Sequence, residues 1–488
     1  MDNKIYELSP QELARLEHSK FYNPDIAPTT KDTRKWKTFD IAALWIGMSV
    51  CIPTYMLASS LICGGMNWWQ AILTIFLGNA IVLIPMVLNA HAGTKYGIPF
   101  PVFARAAFGT VGSNIPAILR AIVACGWFGI QTWIGGWAIY KLLTVYFKSW
   151  EVLPPVTSWL GINLAQLLCF LFFWFINMYI IWRGMESIRW VEDYSAPLLL
   201  GVGVALLVWA YLRIGSFGPM FSQPSQFSAG GPKSGQFWLF FFPALTAMVS
   251  YWSTLSLNIP DFTRFARSQK AQILGQAIGL NTTMPLYAFI GVAVTSATIV
   301  IFGEAIWDPV TLLSKFENPL VNIIAQISLL LATLTTNLAA NVVGPANSFS
   351  NIAPKKISFR TGGLITGIIG IIMMPWKLVA DPQGYIFTWL VGYSALLGPI
   401  AGILITDYFI VRKTRLSLAD LYQENGQYSY WRGLNWRAII ALAVGILINL
   451  PGFLGTVGIL PVANFWLNLY HYAWFAGLIV SSLIYLIW

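Results

Sequence analysis

The sequence predicts an all-α integral membrane protein of twelve transmembrane helices, and three observations carry that prediction. Of its 488 residues, 57% are hydrophobic and only 10% charged, and the mean hydropathy of +0.65 is far above that of soluble globular chains. Crossing the hydrocarbon takes roughly 20 apolar residues in a helix, and such windows centre near residues 51, 80, 132, 170, 202, 247, 288, 333, 368, 397, 445 and 477. With twelve spans the basic residues sort by side. Of 29 Lys and Arg, 23 fall on the side of the N-terminus and six, Lys141, Lys148, Arg213, Lys233, Lys315 and Lys377, fall opposite. That is the asymmetry expected of cytoplasmic loops, and it accounts for the net charge of +10 without a nucleic-acid partner.

Residues 1–37 are polar and charged, so no cleavable secretory signal is expected, and this segment is placed in the cytoplasm. A first set of five helices follows over 38–213, a loop on the outer side over 214–235, and a second set of five over 236–411. A cytoplasmic loop over 412–435 leads to two last helices in 436–488, which returns the C-terminus to the cytoplasm and places the chain in the cell membrane. The first helix, KTFDIAALWIGMSVCIPTYMLASSLICGG, carries Pro53 near its middle, where a missing N–H and a ring clash break an ordinary helix. The sixth, PALTAMVSYWSTLSLNIPDFTRF, has a second interruption rich in Ser and Thr, with Pro260 and Asp261 at its end. In lipid such breaks persist only where they line protein or a water-filled cavity. The third and eighth helices are also five apart, and both concentrate polar residues at mid-membrane, Gln131 in GWFGIQTWIGG and the run TLTTNLAAN over 333–341. An odd offset means opposite insertion, the requirement of an inverted repeat. The connections 91–109, 183–193 and 407–437 collect charges, Gly and Pro at the cytoplasmic face.

Several kinds of chemistry are excluded. Cys51, Cys63, Cys125 and Cys169 have no CxxC spacing, and His18, His91 and His471 are scattered, so neither a disulfide frame nor a histidine metal or haem site is expected. No catalytic set is discernible, which argues against an enzyme. Asp193, Asp261 and Asp407 lie toward helix ends and almost no charge lies at mid-membrane, so a bound solute should be neutral. Trp127 and Gln131 fall one turn apart on one face, an aromatic plane beside an amide. The flanking Gly126, Gly129, Gly135 and Gly136 admit close neighbours. Alone, Gln131 reads more readily as a hydrogen bond between helices than as a ligand contact. Trp252, beside Tyr251, comes to the same depth and with Trp127 would sandwich a flat ring, while Gln131 and Asn341 supply donors and acceptors. Trp68, Trp69, Trp376 and Trp389 read instead as interfacial belt residues. Thr335 and Thr336, beside the break at Gly47 to Pro53, suit a hard cation held by neutral oxygens. The competing reading is back-bonding to the preceding carbonyls.

At this point the chain resembles the nucleobase:cation symporter-1 family over roughly residues 20–485. The resemblance is carried by WIGMSVCIPTYMLASSL, GIPFPVFARAAFG, GWFGIQTWIGG, LSLNIPDFTRFA, LATLTTNLAANVVGPAN, ITDYFIVRKTRLSLADLY and YWRGLNW. It implies a LeuT-like fold of two inverted five-helix repeats, helices 1 and 6 unwound, with two extra C-terminal helices. It further implies substrate contacts at Trp127, Gln131, Trp252 and Asn341, and a sodium site from the carbonyls of Gly47, Val50 and Ala332 with the hydroxyls of Thr335 and Thr336. Two positions depart from the family's hydantoin-transporting member: Cys51 replaces a glutamine and Tyr251 replaces a glycine, so the ring it prefers stays open among hydantoin, allantoin, uracil and other nucleobases. The expectation is a secondary active transporter that imports a neutral planar nitrogen heterocycle, with no cofactor and Na⁺ as the coupling ion. The alternatives are proton-coupled symport and, more remotely, a passive channel. Its partners are that small molecule and the bilayer, and nothing in the sequence sets an oligomeric state.

Overall fold

A computed structural model describes residues 5–183, 195–316 and 318–487. Asp193, Arg189, Lys4 and nearly all of the 183–193 connection lie outside them. The described chain is helical, with only isolated bridges such as Trp36 to Ala266. The helices used below are α1 (Pro10–Glu17), α2 (Thr38–Ser49), α3 (Ile52–Cys63), α4 (Trp68–Tyr96), α5 (Phe100–Phe108), α6 (Asn114–Thr144), α7 (Leu164–Arg183), α8 (Ser195–Ile214), α9 (Phe237–Tyr251), α10 (Ser253–Asn258), α11 (Pro260–Thr263), α12 (Gln269–Phe302), α13 (Pro309–Ser314), α14 (Pro319–Ile352), α15 (Phe359–Ile372), α16 (Gly384–Val411), α17 (Trp436–Thr456), α18 (Asn464–Tyr470) and α19 (Ala473–Ile487).

Among the described residues seven helices are long and apolar enough to cross a membrane, or up to nine if each of two bent pairs, α2 with α3 and α18 with α19, is one span. Three shorter apolar helices, in α8, α9 and α15, occupy the other windows. At 15 residues α9 rises about 22 Å, short of the roughly 30 Å of hydrocarbon. The sequence windows did not separate these from full spans, because composition is blind to where a helix stops.

Helix breaks fall within the first and sixth of the expected windows. Between α2 and α3 the axis bends by 59°. Val50 (φ −83°, ψ 83°) and Cys51 (φ −149°, ψ 160°) leave the helical region, and Pro53 enters the first turn of α3, where its missing N–H costs nothing. Between α9 and α10 the break is the single residue Trp252. There serine hydroxyls satisfy backbone carbonyls: Ser250 Oγ donates to Thr246 O (2.6 Å), Ser253 Oγ to Ser250 O (2.7 Å) and Ser256 Oγ to Ser253 O (2.7 Å). This is how a polar interruption persists without water.

Packing sorts the spans into three groups. α2, α3, α4, α9–α11 and α12 pack on one another, and α6, α7, α14 and α15 form the second set, while α16, α17 and α19 pack together. The N-terminal segment crosses one face. Trp36 N–H donates to Phe265 O (2.9 Å), Asn23 Nδ2 to Pro354 O (2.7 Å), and Tyr422 OH to Ile26 O (2.8 Å). Arg34 is buried there among the carbonyls of Tyr6, Thr29, Thr94 and Lys95, and burial pushes its guanidinium down to about 10. Arg105 on α5 donates to Asn351 Oδ1 (2.6 Å) and Leu421 O (3.0 Å) and is likewise pushed down to about 10 by burial.

Candidate substrate and ion site

The two interruptions meet through Tyr251. Its phenolic oxygen lies 3.3 Å from Cys51 Sγ and 3.0 Å from Thr54 Oγ1, and Cys51 Sγ lies 3.3 Å from Thr54 Oγ1. The Tyr251 ring stands edge-on to Trp127 (5.2 Å between centroids, 81°) and to Trp252 (4.9 Å, 87°). Trp252 in turn meets Trp45 edge-on (5.1 Å, 79°), and its indole N–H points at Met284 Sδ, 2.8 Å away. The structure therefore brings Trp127, Tyr251, Trp252 and Cys51 into one cluster. Within it the two tryptophans each pair with Tyr251.

Helix α16 closes this cluster. Tyr385, Trp389 and Tyr393 stand 6.2, 5.9 and 6.4 Å from the Trp127 ring, and Tyr393 OH donates to Ser250 O (2.8 Å), beside the break. The interfacial reading of Trp389 is corrected: it is only 7% exposed and packs into the notch at Gly126, where a Cβ would overlap its ring. A glycine facing a tryptophan is a three-dimensional signal, and a uniformly apolar stretch of sequence does not disclose it. Tyr385 and Tyr393 were missed for the same reason.

The amides form a second layer. Asn337 is fully buried and its Nδ2 lies 3.3 Å from Phe128 O, 3.1 Å from Thr132 Oγ1 and 3.2 Å from Asn177 Oδ1. Asn341 Nδ2 donates to Asn337 Oδ1 (3.0 Å). Asn341 is thereby wired to α6 at the residue after Gln131. Gln131 is 4% exposed and its buried Oε1 has no hydrogen-bond partner. An enclosed acceptor without a donor is costly, and a ligand N–H is the natural means of satisfying it.

One turn beyond Gln131, Ile134 lines a cavity of about 260 Å³ that Met56, Trp133, Trp307 and Trp376 also enclose. It lies on the side away from the N-terminal segment. Asp308 sits at its wall, capping α13 through Val310 N–H and Thr311 N–H (3.1 Å each) and accepting Trp137 Nε1–H (3.2 Å). Burial pushes the Asp308 carboxyl above the usual carboxylate value even though these donors favour its charge.

At the expected ion positions, Thr335 Oγ1 and Thr336 Oγ1 both donate to Ala332 O, at 2.8 and 3.1 Å. Each threonine thus back-bonds to its own helix, which leaves the lone pairs of both hydroxyls available. Across from them α2 packs on α14. Cys51 N–H donates to Ser49 O (3.1 Å) and Thr54 N–H to Cys51 O (3.1 Å), so the break withdraws the usual donors from the carbonyls of Gly47 and Val50. This donor set of neutral oxygens fits a hard monovalent cation better than a transition metal.

A family profile described as "Permease for cytosine/purines, uracil, thiamine, allantoin" matches residues 28–477. The chain belongs to this permease family. It is 46% identical over 466 residues to the purine-uracil permease NCS1 of Arabidopsis thaliana, covering 95% of this chain and 77% of that one. It is 42% identical over 475 residues to the allantoin permease of Bacillus subtilis, covering 97% and 94%. A nucleobase-cation-symport-1 family transporter, solved in a closed conformation with bromovinylhydantoin bound, superimposes with a TM-score of 0.76 at 28% identity over 95% of this chain and 94% of that one. The permease thus has the LeuT-like fold and is an integral membrane transporter rather than an enzyme.

Proposed function

We propose that this permease imports a neutral, planar nitrogen heterocycle of the allantoin, hydantoin, uracil or purine class by Na⁺-coupled symport, with the substrate held between Trp127, Trp252, Gln131 and Asn341. The observation that carries this reading is the buried, donorless Oε1 of Gln131 beside an aromatic enclosure that contains no fixed charge. Neutral rings of this class present coplanar N–H and C=O groups that satisfy amides and faces that pack on indoles. Cys51 and Tyr251 tune the choice among rings from the side of the broken helices. The relatives named for purine, uracil and allantoin support the substrate class.

Na⁺ would be held by the carbonyls of Gly47, Val50 and Ala332 and the hydroxyls of Thr335 and Thr336, where its charge would favour one arrangement of α2 and α14 and so raise substrate affinity, a reciprocal coupling. Full traversal by α8, α9 and α15 would bring the spans to twelve, with both termini in the cytoplasm of the cell and a 5+5+2 arrangement.

Purified protein in proteoliposomes, screened against allantoin, hydantoins, uracil, cytosine and purines with and without a Na⁺ gradient, tests the proposal. Saturable accumulation above equilibrium that depends on Na⁺ is expected. Accumulation driven by a proton gradient alone would replace Na⁺ with H⁺, and equilibration without accumulation would overturn symport.

A further inference from the structure

Arg120 lies on α6 less than two turns from its start and is completely enclosed, yet Nε and both terminal nitrogens have no hydrogen-bond partner. Its guanidinium occupies the notch left by Gly344 on α14, where a Cβ would overlap it. Asp261, 2% exposed at the start of α11, is the acid whose charge Arg120 feels. The two share no hydrogen bond, and the Asp261 oxygens accept instead from Phe100 N–H (2.8 Å) and Asn258 Nδ2 (3.3 Å). Arg120 belongs to the group of α6, α7, α14 and α15, and Asp261 to the group around α4. Phe100, whose N–H Asp261 accepts, opens α5, and α5 packs on both α6 and α11, so the opposite charges lie on the two sides of the seam between these groups. The seam is on the side of the N-terminal segment, where the neighbouring Arg264 donates to Asp25 O (3.1 Å).

A guanidinium carries five donors, and burying a charge without hydrogen bonds costs more than a distant counter-charge returns. Opening the seam hydrates Arg120 and removes that cost, and keeping it shut relies on Asp261 for compensation. We infer that Arg120 and Asp261 are positioning residues that set the balance between the shut and open states of this seam, through which substrate leaves the central site. The inference rests on the transporter reading above. Neutralising both groups removes the cost of burial and favours the shut state. Neutralising only Asp261 strands the cation and favours the open one. A merely structural ion pair would loosen in both cases, so the opposite signs are diagnostic.

The test is hydrogen–deuterium exchange of the full-length protein at residues 97–104 and 257–265, with heterocycle uptake measured in parallel. Asp261→Asn should exchange there about tenfold faster than wild type, and Arg120→Met/Asp261→Asn slower, with uptake by the double variant down at least about tenfold while substrate still binds. Arg120→Lys, which keeps the charge, should stay near wild type. Should Asp261→Asn fail to fold, the double variant must still exchange more slowly than Arg120→Lys. Exchange that moves in the same direction in both neutralised variants, or in neither, overturns the assignment. The exchange readout needs no substrate. Absence of heterocycle uptake by the wild-type protein would therefore refute the proposed function and leave the gate assignment to be decided by exchange alone.

Discussion

Cys51 Sγ lies 3.3 Å from the phenolic oxygen of Tyr251, and that contact ties the interruption after α2 to the end of α9 across 200 residues of sequence. Thr54 Oγ1, at 3.0 Å from the same oxygen, is the stronger partner, since a thiol is a weak donor and acceptor. One hydroxyl thus joins the two broken helices.

Tyr251→Phe removes that hydroxyl and leaves Thr54 Oγ1 with only the weaker Cys51 thiol. A loss of about 1 kcal/mol is expected, read as a lower apparent unfolding temperature in detergent, together with an altered ranking of heterocycles in uptake. An unchanged unfolding temperature and ranking would show that the tie contributes nothing.

Gln131→Ala and Asn341→Ala should each abolish uptake, the first with little effect on folding because Gln131 Oε1 has no protein partner, the second at the cost of leaving the one acceptor Asn337 Oδ1 unpaired. Asn337→Ala is expected to behave differently. It strands Asn177 Oδ1 on α7 and Asn341 Nδ2 on α14 at once, each costing about 1–3 kcal/mol when orphaned, so yield and thermal stability should fall along with transport. Equal stability of the three variants would contradict this division.

Thr335→Val and Thr336→Val delete hydroxyls that only back-bond to Ala332 O, so the fold should tolerate them. If those oxygens hold Na⁺, half-maximal uptake should shift to at least about tenfold higher Na⁺, one ligand oxygen corresponding to roughly 1.4 kcal/mol. Na⁺ dependence identical to wild type would place the ion elsewhere.

Gly129→Ala probes the approach of α6 to α15. A Cβ at this position would sit 2.5 Å from Gly370 O, so the backbones must separate. Small residues are what permit such approach between membrane helices, and a loss of about 1–3 kcal/mol is expected, measured as reduced thermal stability without a change of substrate preference.

Much of this architecture is legible in the residues because proline and polarity inside apolar windows are local signals. Pro53 and the Ser/Thr-rich run over 250–256 announce the two interruptions, and TLTTNLAAN announces the amide layer. What lies between them depends on ring direction. The 59° bend between α2 and α3 decides where Cys51 and Thr54 meet Tyr251, and only the notch at Gly126 shows that Trp389 belongs to the interior. Neither is a property of a sequence window. Asn337 was visible as a polar residue, but its partners Thr132 and Asn177 lie on two other helices and share no spacing with it.

The ring of Tyr251 stands edge-on to both Trp127 and Trp252, so a substrate proposed for those indoles would have the protein itself as competitor. On the proposed reading, a heterocycle reaches the two indoles only in the fraction of molecules whose tyrosine has swung aside, and its apparent affinity is scaled down by that fraction. The discount is the same for every ring that needs the full width, and it vanishes for a ring thin or short enough to lie beside the phenol. Selectivity would then be governed by how often the site is vacated as well as by how well it is filled, and a smaller side chain at position 251 would raise affinity for bulky rings without a single new contact.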